Sequence, residues 1–332
     1  MDRLFLLDAY ALIYRSYYAF IKNPRINSKG LNTSAIMGFL NTLQEVLTKE
    51  HPTHIGVAFD PHGPTFRSEA YPAYKAQREA TPEDIRRSVP IIKDILKAYR
   101  IPILQVDGYE ADDVIGTLAT QAGEQGIETY MLTPDKDYGQ LVRPNVFIYR
   151  PRHGGGYEVM GPEEVKSKYA IPSTKAVIDL LALMGDSADN FPGCPGVGEK
   201  TAVKLLTEFG SIEEMLKRTD EIKGALKTKV ETHVEDIRLS YFLATIKTDV
   251  PIRLDMDELK VSAPDEPQLA KLFEKLELKN LANKILKKPE KAPTPVNGQL
   301  DLFAEFPAEG QDAPKFSSFE TLKSVPHTYK LV

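Results

Sequence analysis

Apolar residues fall in short runs at Leu4–Leu7, Ile55–Phe59, Ile103–Val106 and Thr129–Leu132, with helical-period segments between them. Runs of this kind predict strands buried on both faces. Their alternation with helices predicts an α/β fold, a mostly parallel sheet with helices on both faces. Each run leads to an acid: Leu7 to Asp8, Phe59 to Asp60, Val106 toward Glu110, and Leu132 toward Asp135 and Asp137. In open α/β sheets the carboxyl ends of the strands share one edge, where ligands bind. Acids scattered along the sequence are therefore expected to form one pocket.

Two further stretches add to it. "LLALMGDSADNFPG" ends a helix near Met184 and carries Asp186 and Asp189 across a turn, and "GYEADDVIG" sets Glu110, Asp112 and Asp113 where a helix begins. One or two acids in a first helical turn are ordinary capping. Three repel one another unless something positive sits among them. Hard divalent cations are the economical counter-charge for so many carboxylates, and Mg²⁺ or Mn²⁺ suits an all-oxygen site. Carboxylates on several strand ends could hold two ions roughly 4 Å apart, the spacing used for in-line displacement at phosphorus.

Composition narrows the chemistry. A single cysteine, Cys194, excludes an internal disulfide and a cysteine-rich zinc site, and the six histidines show no ligand-like spacing. The N-terminal stretch reaches Asp8 after only four consecutive apolar residues, so it reads as neither signal peptide nor membrane span, and a cytoplasmic protein without membrane association is expected. A net charge of −5 argues against nucleic acid, but the charges are segregated: residues 61–100 hold eight Lys and Arg against five acids.

Those cations lie among aromatics. In "FRSEAYPAYKAQR", residues 66–78, Arg67, Lys75 and Arg78 alternate with Phe66, Tyr71 and Tyr74, a mixture that grips phosphates and stacks bases. Tyr14 and Arg15 follow Asp8 in a similar aromatic segment. In "FPGCPGVGEKTAVKLLTEFGSIEEML", residues 191–216, Gly193, Gly196 and Gly198 form a tight hairpin before a helix carrying Lys200, Thr201 and Lys204. Bare amides at a helix start beside lysines form an anion site, which can hold duplex phosphates without reading sequence.

The pieces "LLDAYALIYRSYYAF", "AFDPHGPTFR", "YKAQR", "GYEADDVIGTLA", "PDKDYGQLV", "LMGDSADNFPGCPGVGEKTA" and "LSYFLATIKTDVPI", spread over about residues 4 to 252, resemble the 5′ nuclease family of the flap endonuclease superfamily, as found at the N-terminus of bacterial DNA polymerase I. The resemblance implies a PIN- or Rossmann-like core over residues 1–175, with a basic arch near 62–100, and an all-α helix-hairpin-helix subdomain over 176–288. It implies a metal-dependent phosphodiesterase that removes 5′ ends, RNA primers and flaps from duplex DNA, acting as a monomer on flapped, nicked or RNA-primed duplexes. Asp8, Asp60 and Asp112 would hold one ion; Asp135, Asp137, Asp186 and Asp189 would attend a second, with Glu110 and Asp113 serving the cluster. Lys75 and Arg78 would stabilise charge on the phosphate, Tyr14 and Tyr74 would stack on bases, and Arg15 would support them. Arg67 would contact DNA, and the 191–216 hairpin would bind downstream duplex and a K⁺ ion. Pro134 and Cys194 depart from the family's usual residues without touching a ligand oxygen.

A related small RNase would lack the 191–216 hairpin, and a haloacid-dehalogenase-type phosphatase would need an acid at Tyr10. A non-catalytic DNA-binding module is the remaining rival. Residues 289–315 read as a Pro-, Gly- and Glu-rich linker, and 316–332 as the start of a following 3′-5′ exonuclease-like domain. Within that linker Gln299, Leu300, Leu302 and Phe303 resemble a motif by which bacterial replication proteins bind the sliding clamp.

Overall fold

The computed structural model describes residues 2–152 and 155–286. The linker, the following domain start and the Gln299 to Phe303 motif lie outside the described residues. The chain runs β1 (Arg3–Asp8), α1 (Ala9–Ala19), α2 (Ser34–Glu45), β2 (His54–Ala58), α3 (Phe66–Ala70), α4 (Glu83–Ala98), β3 (Ile103–Leu104), α5 (Ala111–Glu124) and β4 (Glu128–Leu132). It continues through β5 (Val146–Pro151), β6 (Tyr157–Met160), α6 (Pro162–Tyr169), α7 (Ala176–Met184), α8 (Glu199–Phe209), α9 (Ile212–Lys217), α10 (Ala225–Thr232) and α11 (Val234–Ala244). Three short helices follow: α12 (Met256–Leu259), α13 (Glu266–Leu276) and α14 (Lys279–Ile285).

The six strands form one sheet in the order β3-β2-β1-β4-β5-β6. All neighbours are parallel except β5 and β6, which pair antiparallel. The four apolar runs are four of these strands, although β3 ends at Leu104, short of the Val106 that periodicity predicts. Successive β1 side chains serve opposite faces: Leu4 and Leu6 pack in the layer with α5 and α7, while Phe5 and Leu7 pack with α1, α2, α4 and α13. Burial on both faces is why the strand reads as an unbroken apolar run.

From β1 the order runs outward to β2 on one side and to β4 on the other. This reversal opens a crevice at the carboxyl ends of β1 and β4, the usual ligand position in such sheets. α7, "AVIDLLALM", is almost wholly apolar and is enclosed by neighbouring helices, including α8 and α11. Among the described residues no helix is long and apolar enough to cross a membrane.

Candidate metal centre and its surroundings

Asp8 ends β1 and caps α1, with Oδ1 accepting from Ala11 N at 3.1 Å. Asp60 follows β2 and holds the first amide of α5, its Oδ1 accepting from Ala111 N at 2.8 Å, while Glu110 is that helix's N-cap. Asp135 and Asp137 follow β4, where Asp135 Oδ1 accepts from Asp137 N at 3.0 Å. These acids, with Glu110, Asp112 and Asp189, line one cavity of about 510 Å³, whose wall also includes Tyr10, Tyr14, Lys75 and Arg78. Capping and pocket formation therefore coexist: one oxygen holds a helix start while the carboxylate faces its neighbours.

The acids are crowded: Asp8 and Glu110 are buried, Asp60, Asp112, Asp137 and Asp189 are half-buried, and Asp135 is exposed. Burial and the nearby Asp60 push Asp8 up to about 7. Loss of water likewise raises Asp60, and raises Asp112 and Asp137 well above the usual carboxylate range. Among the described residues two buried side-chain oxygens lack a hydrogen-bond partner, Asp112 Oδ1 and Asp137 Oδ1. Unpaired buried acceptors are rare and costly, and two beside one acidic cavity fit hard cations as the missing partners.

Part of the counter-charge comes from the protein itself. Arg67 is 1% exposed, which corrects its expected place at a DNA surface. Its Nη1 donates to Glu110 Oε2 at 3.0 Å and Asp113 Oδ2 at 2.8 Å, and its Nη2 donates to Asp113 Oδ1 at 2.8 Å. Oxygens of Glu110, Asp112 and Asp113 lie within 4.8 Å of one another, but Asp113 does not line the cavity. Its carboxylate is bound on all sides, also accepting from Lys247 N at 2.8 Å and Glu110 N at 3.1 Å. Asp113 is thus Arg67's partner rather than an ion ligand. Burial works against the charge on Glu110, yet Lys75 and Arg67 hold it below its usual range.

Residues 71–78 dock on the turn that carries Asp189. Lys75 N donates to Asp189 O at 2.9 Å, Arg78 Nε to Ala188 O at 3.0 Å, and Asn190 Nδ2 to Ala73 O at 2.6 Å. Lys75 Nζ reaches Glu110 Oε1 at 2.7 Å, and Arg78 pairs with Asp189. Tyr74 is 6% exposed, and its one hydroxyl hydrogen is shared between Glu110 Oε2 at 3.0 Å and Asp189 Oδ2 at 3.2 Å, so it offers no ring face to a base. Tyr14 does line the cavity, hydrogen-bonded to Thr81 Oγ1 at 3.2 Å.

Two other expectations need correction. Arg15, one position along α1 from Tyr14, turns out of the acidic cavity into a neighbouring cleft with Tyr18, Arg150, Arg152 and Lys168. Asp186 is near Asp137 but is not among the residues lining the cavity: Lys136 Nζ donates to its Oδ2 at 2.8 Å, and its Oδ1 accepts from Ala188 N at 2.7 Å, shaping the turn to Asp189. Conversely, sequence reasoning passed over Tyr138 and Thr133, whose hydroxyls donate to Asp8 Oδ2 at 3.2 and 3.3 Å. Tyr138 lies inside the quoted "PDKDYGQLV", but no periodicity marks a buried hydroxyl.

The 185–198 hairpin follows α7. Gly193 has φ 62°, and a Cβ there would meet Gly185 N at 2.2 Å, so only glycine lets the two strands of the turn approach. Gly198 is the N-cap of α8 and has no side chain to satisfy the free amides. Gly196, Gly198, Lys200 and Lys204 are exposed and Thr201 is half-buried, with the ammonium of Lys229 lying against Gly196.

Family models match along this architecture. Residues 3–170 match the N-terminal resolvase-like domain of 5′-3′ exonucleases, and residues 172–267 their C-terminal SAM fold. A 5′-3′ exonuclease of Aquifex aeolicus is 39% identical over 285 residues, covering 86% of this chain and 96% of its own. DNA polymerase I of Bacillus caldotenax is 40% identical over 286 residues, which is 85% of this chain but 32% of the polymerase. The chain thus spans about a third of the polymerase I relatives it matches. A zinc-bound bacteriophage T5 5′-exonuclease shares the fold with a TM-score of 0.63 at 18% identity, covering 83% of this chain and 99% of its own. The catalytic core of Rad2, solved with a DNA substrate, does so with a TM-score of 0.58 at 17% identity, covering 86% of this chain and 92% of its own. With both family models matched in order and a full-length relative at this identity, the chain belongs to the 5′-3′ exonuclease family.

Proposed function

We propose that the chain is a structure-specific 5′ nuclease that hydrolyses phosphodiester bonds at 5′ ends and flaps of duplex DNA, with Mg²⁺ or Mn²⁺ in the acidic cavity. The pair of unpaired buried oxygens, Asp112 Oδ1 and Asp137 Oδ1, carries this reading. The residues that would hold two ions are Asp8, Asp60, Asp112, Asp135, Asp137 and Asp189, with Glu110 at their edge. Bound there, divalent ions would supply the acidity that turns water into a nucleophile and the positive charge that offsets the leaving oxygen, so that no side-chain base would be required.

The chain's own residues prepare and hold the substrate. Tyr138 and Thr133 fix Asp8 by donating to its Oδ2, and Ala11 N fixes its Oδ1. Lys75 and Arg78 stand at the cavity wall, within reach of charge that grows on a phosphate in the transition state. Tyr14 presents an aromatic ring at the same wall. Gly196, Gly198, Lys200, Thr201 and Lys204 offer amides and ammonium groups to the phosphates of the downstream duplex, and K⁺ is the proposed companion ion at that hairpin.

The substrates proposed are duplexes with a 5′ flap or nick and RNA-primed DNA, cut by a cytoplasmic monomer. Residues Gln299, Leu300, Leu302 and Phe303 are proposed to meet a sliding clamp, on sequence alone. The test is cleavage of an end-labelled 5′-flap duplex with and without Mg²⁺: release of the flap only with the ion supports the reading. Binding of the duplex without cleavage at any Mg²⁺ concentration would leave the non-catalytic module.

A further inference from the structure

We propose that Arg67 is a positioning residue for phosphodiester cleavage: its buried guanidinium sets Glu110, and through Glu110 the Lys75 ammonium, while tying that cavity wall to the end of α11. This rests on the nuclease reading above but adds a residue that cannot touch DNA. Arg67 is 1% exposed and does not line the cavity.

All five guanidinium donors are used. Besides the bonds to Glu110 and Asp113, Nε donates to Leu243 O at 2.9 Å and Nη2 to Thr245 O at 2.7 Å. These carbonyls close the end of α11, so one side chain joins the α3 segment, the start of α5 and the exit of α11. Glu110 Oε2 takes Arg67 and Tyr74, which leaves Oε1 for Lys75 Nζ at 2.7 Å. One helical turn before Leu243, Ser240 Oγ accepts from Gly193 N at 2.8 Å. α11 therefore holds the glycine hairpin with one turn and Arg67 with the next. The Lys75 backbone is tied to the turn before the hairpin by its own bond to Asp189 O, and the α11–Arg67 connection adds a second tie that fixes the carboxylate its ammonium meets.

A lysine at 67 would bring the charge but three donors instead of five, without the planar fork that matches Asp113. A merely structural role makes a different demand, since a buried ion pair can often be replaced by uncharged groups of similar volume without losing stability. The two roles therefore separate in the double variant Arg67→Met with Asp113→Asn, which removes the Arg67–Asp113 charge pair together and leaves Glu110 paired with Lys75.

The experiment compares the parent chain, Arg67→Lys and the double variant by thermal melting, by affinity for a 5′-flap duplex in chelator, and by single-turnover cleavage at saturating enzyme with Mg²⁺. Positioning predicts folded variants whose duplex affinity stays within about threefold of the parent while the cleavage rate falls about 100-fold, the scale of a 1 Å misplacement. A folded variant that cleaves within about threefold of the parent overturns it, as does a loss of affinity that accounts for the loss of rate. Failure of both variants to fold overturns it too, because Arg67 is then a stability element. A parent chain that does not cleave fails the nuclease reading; a cleaving parent with a fast variant fails this inference alone.

Discussion

The Lys75 ammonium lies 2.7 Å from Glu110 Oε1 while the Lys75 backbone is held in the left-handed region at φ 55°. A lysine rarely adopts that backbone conformation unless its surroundings impose it, and here the Lys75 N to Asp189 O bond does so. The side chain is thereby aimed at the cavity. Lys75→Ala is expected to slow single-turnover flap cleavage by about 10² to 10³, because a cation matters most as charge develops, while duplex affinity changes little. Equal losses in rate and affinity would contradict this division.

Asp112→Asn removes one charge from a half-buried carboxylate whose Oδ1 has no hydrogen-bond partner and only the Arg67 guanidinium, 4.0 Å away, as a charged neighbour. Flap cleavage should become undetectable with Mg²⁺, duplex binding should persist, and the chelated variant should melt at or above the parent. Wild-type cleavage by the variant would sink the assignment of Asp112 as an ion ligand.

Much of this was legible in the sequence because strand ends and helix starts are local features. Asp8, Asp60, Asp135 and Asp137 could be gathered because four apolar runs pointed one way. Which acids face the cavity was not legible, since that depends on side chains distant in sequence. Arg67 meets Asp113 and the carbonyls of Leu243 and Thr245, and no local pattern shows that a basic residue beside aromatics is buried rather than presented to DNA. The three carboxylates of "GYEADDVIG" do require a positive group among them, but for Asp113 it is this guanidinium. Strands β5 and β6 were not legible either: "VFIYRP" and "YEVM" are short and alternate weakly, and β6 lies at the sheet's edge.

Stability without divalent ions should fall as pH rises from about 5 toward 7. Asp8 is raised to about 7, and Asp60, Asp112 and Asp137 are raised as well, so the folded state binds more protons than the unfolded chain across that window. Glu110 and Asp186 are lowered, and their contribution is lost only below the ordinary carboxylate range of about 4. Melting in chelator should therefore be higher near pH 5.5 than near pH 7.5, and Mg²⁺ should raise it most at about pH 7.5. A chelated protein that gains stability over this rise in pH would contradict the account.

Lys200 and Lys204 are exposed at the start of α8, away from the acids. Replacing Lys200 with Ala should weaken duplex binding for every sequence alike and lower the slope of log affinity against log salt by about 1, with single-turnover cleavage at saturation unchanged. An unchanged slope would remove the hairpin from the duplex contact.

Gly193→Ala places a methyl group 2.2 Å from Gly185 N at a backbone angle that disfavours side chains. It should cost about 3 kcal/mol or more in unfolding free energy, by strain and by loss of the amide bond to Ser240. Denaturant unfolding within about 0.5 kcal/mol of the parent would show that the hairpin tolerates the displacement.

The central claim is that the acidic cavity holds divalent ions, and anomalous diffraction from crystals grown with Mn²⁺ tests it without relying on turnover. The account predicts anomalous density inside the cavity, against Asp112 Oδ1 and Asp137 Oδ1, that is lost at the Asp112 side in Asp112→Asn. Crystals saturated with Mn²⁺ whose cavity shows no anomalous density, with both oxygens instead hydrogen-bonded to water or protein, would contradict it.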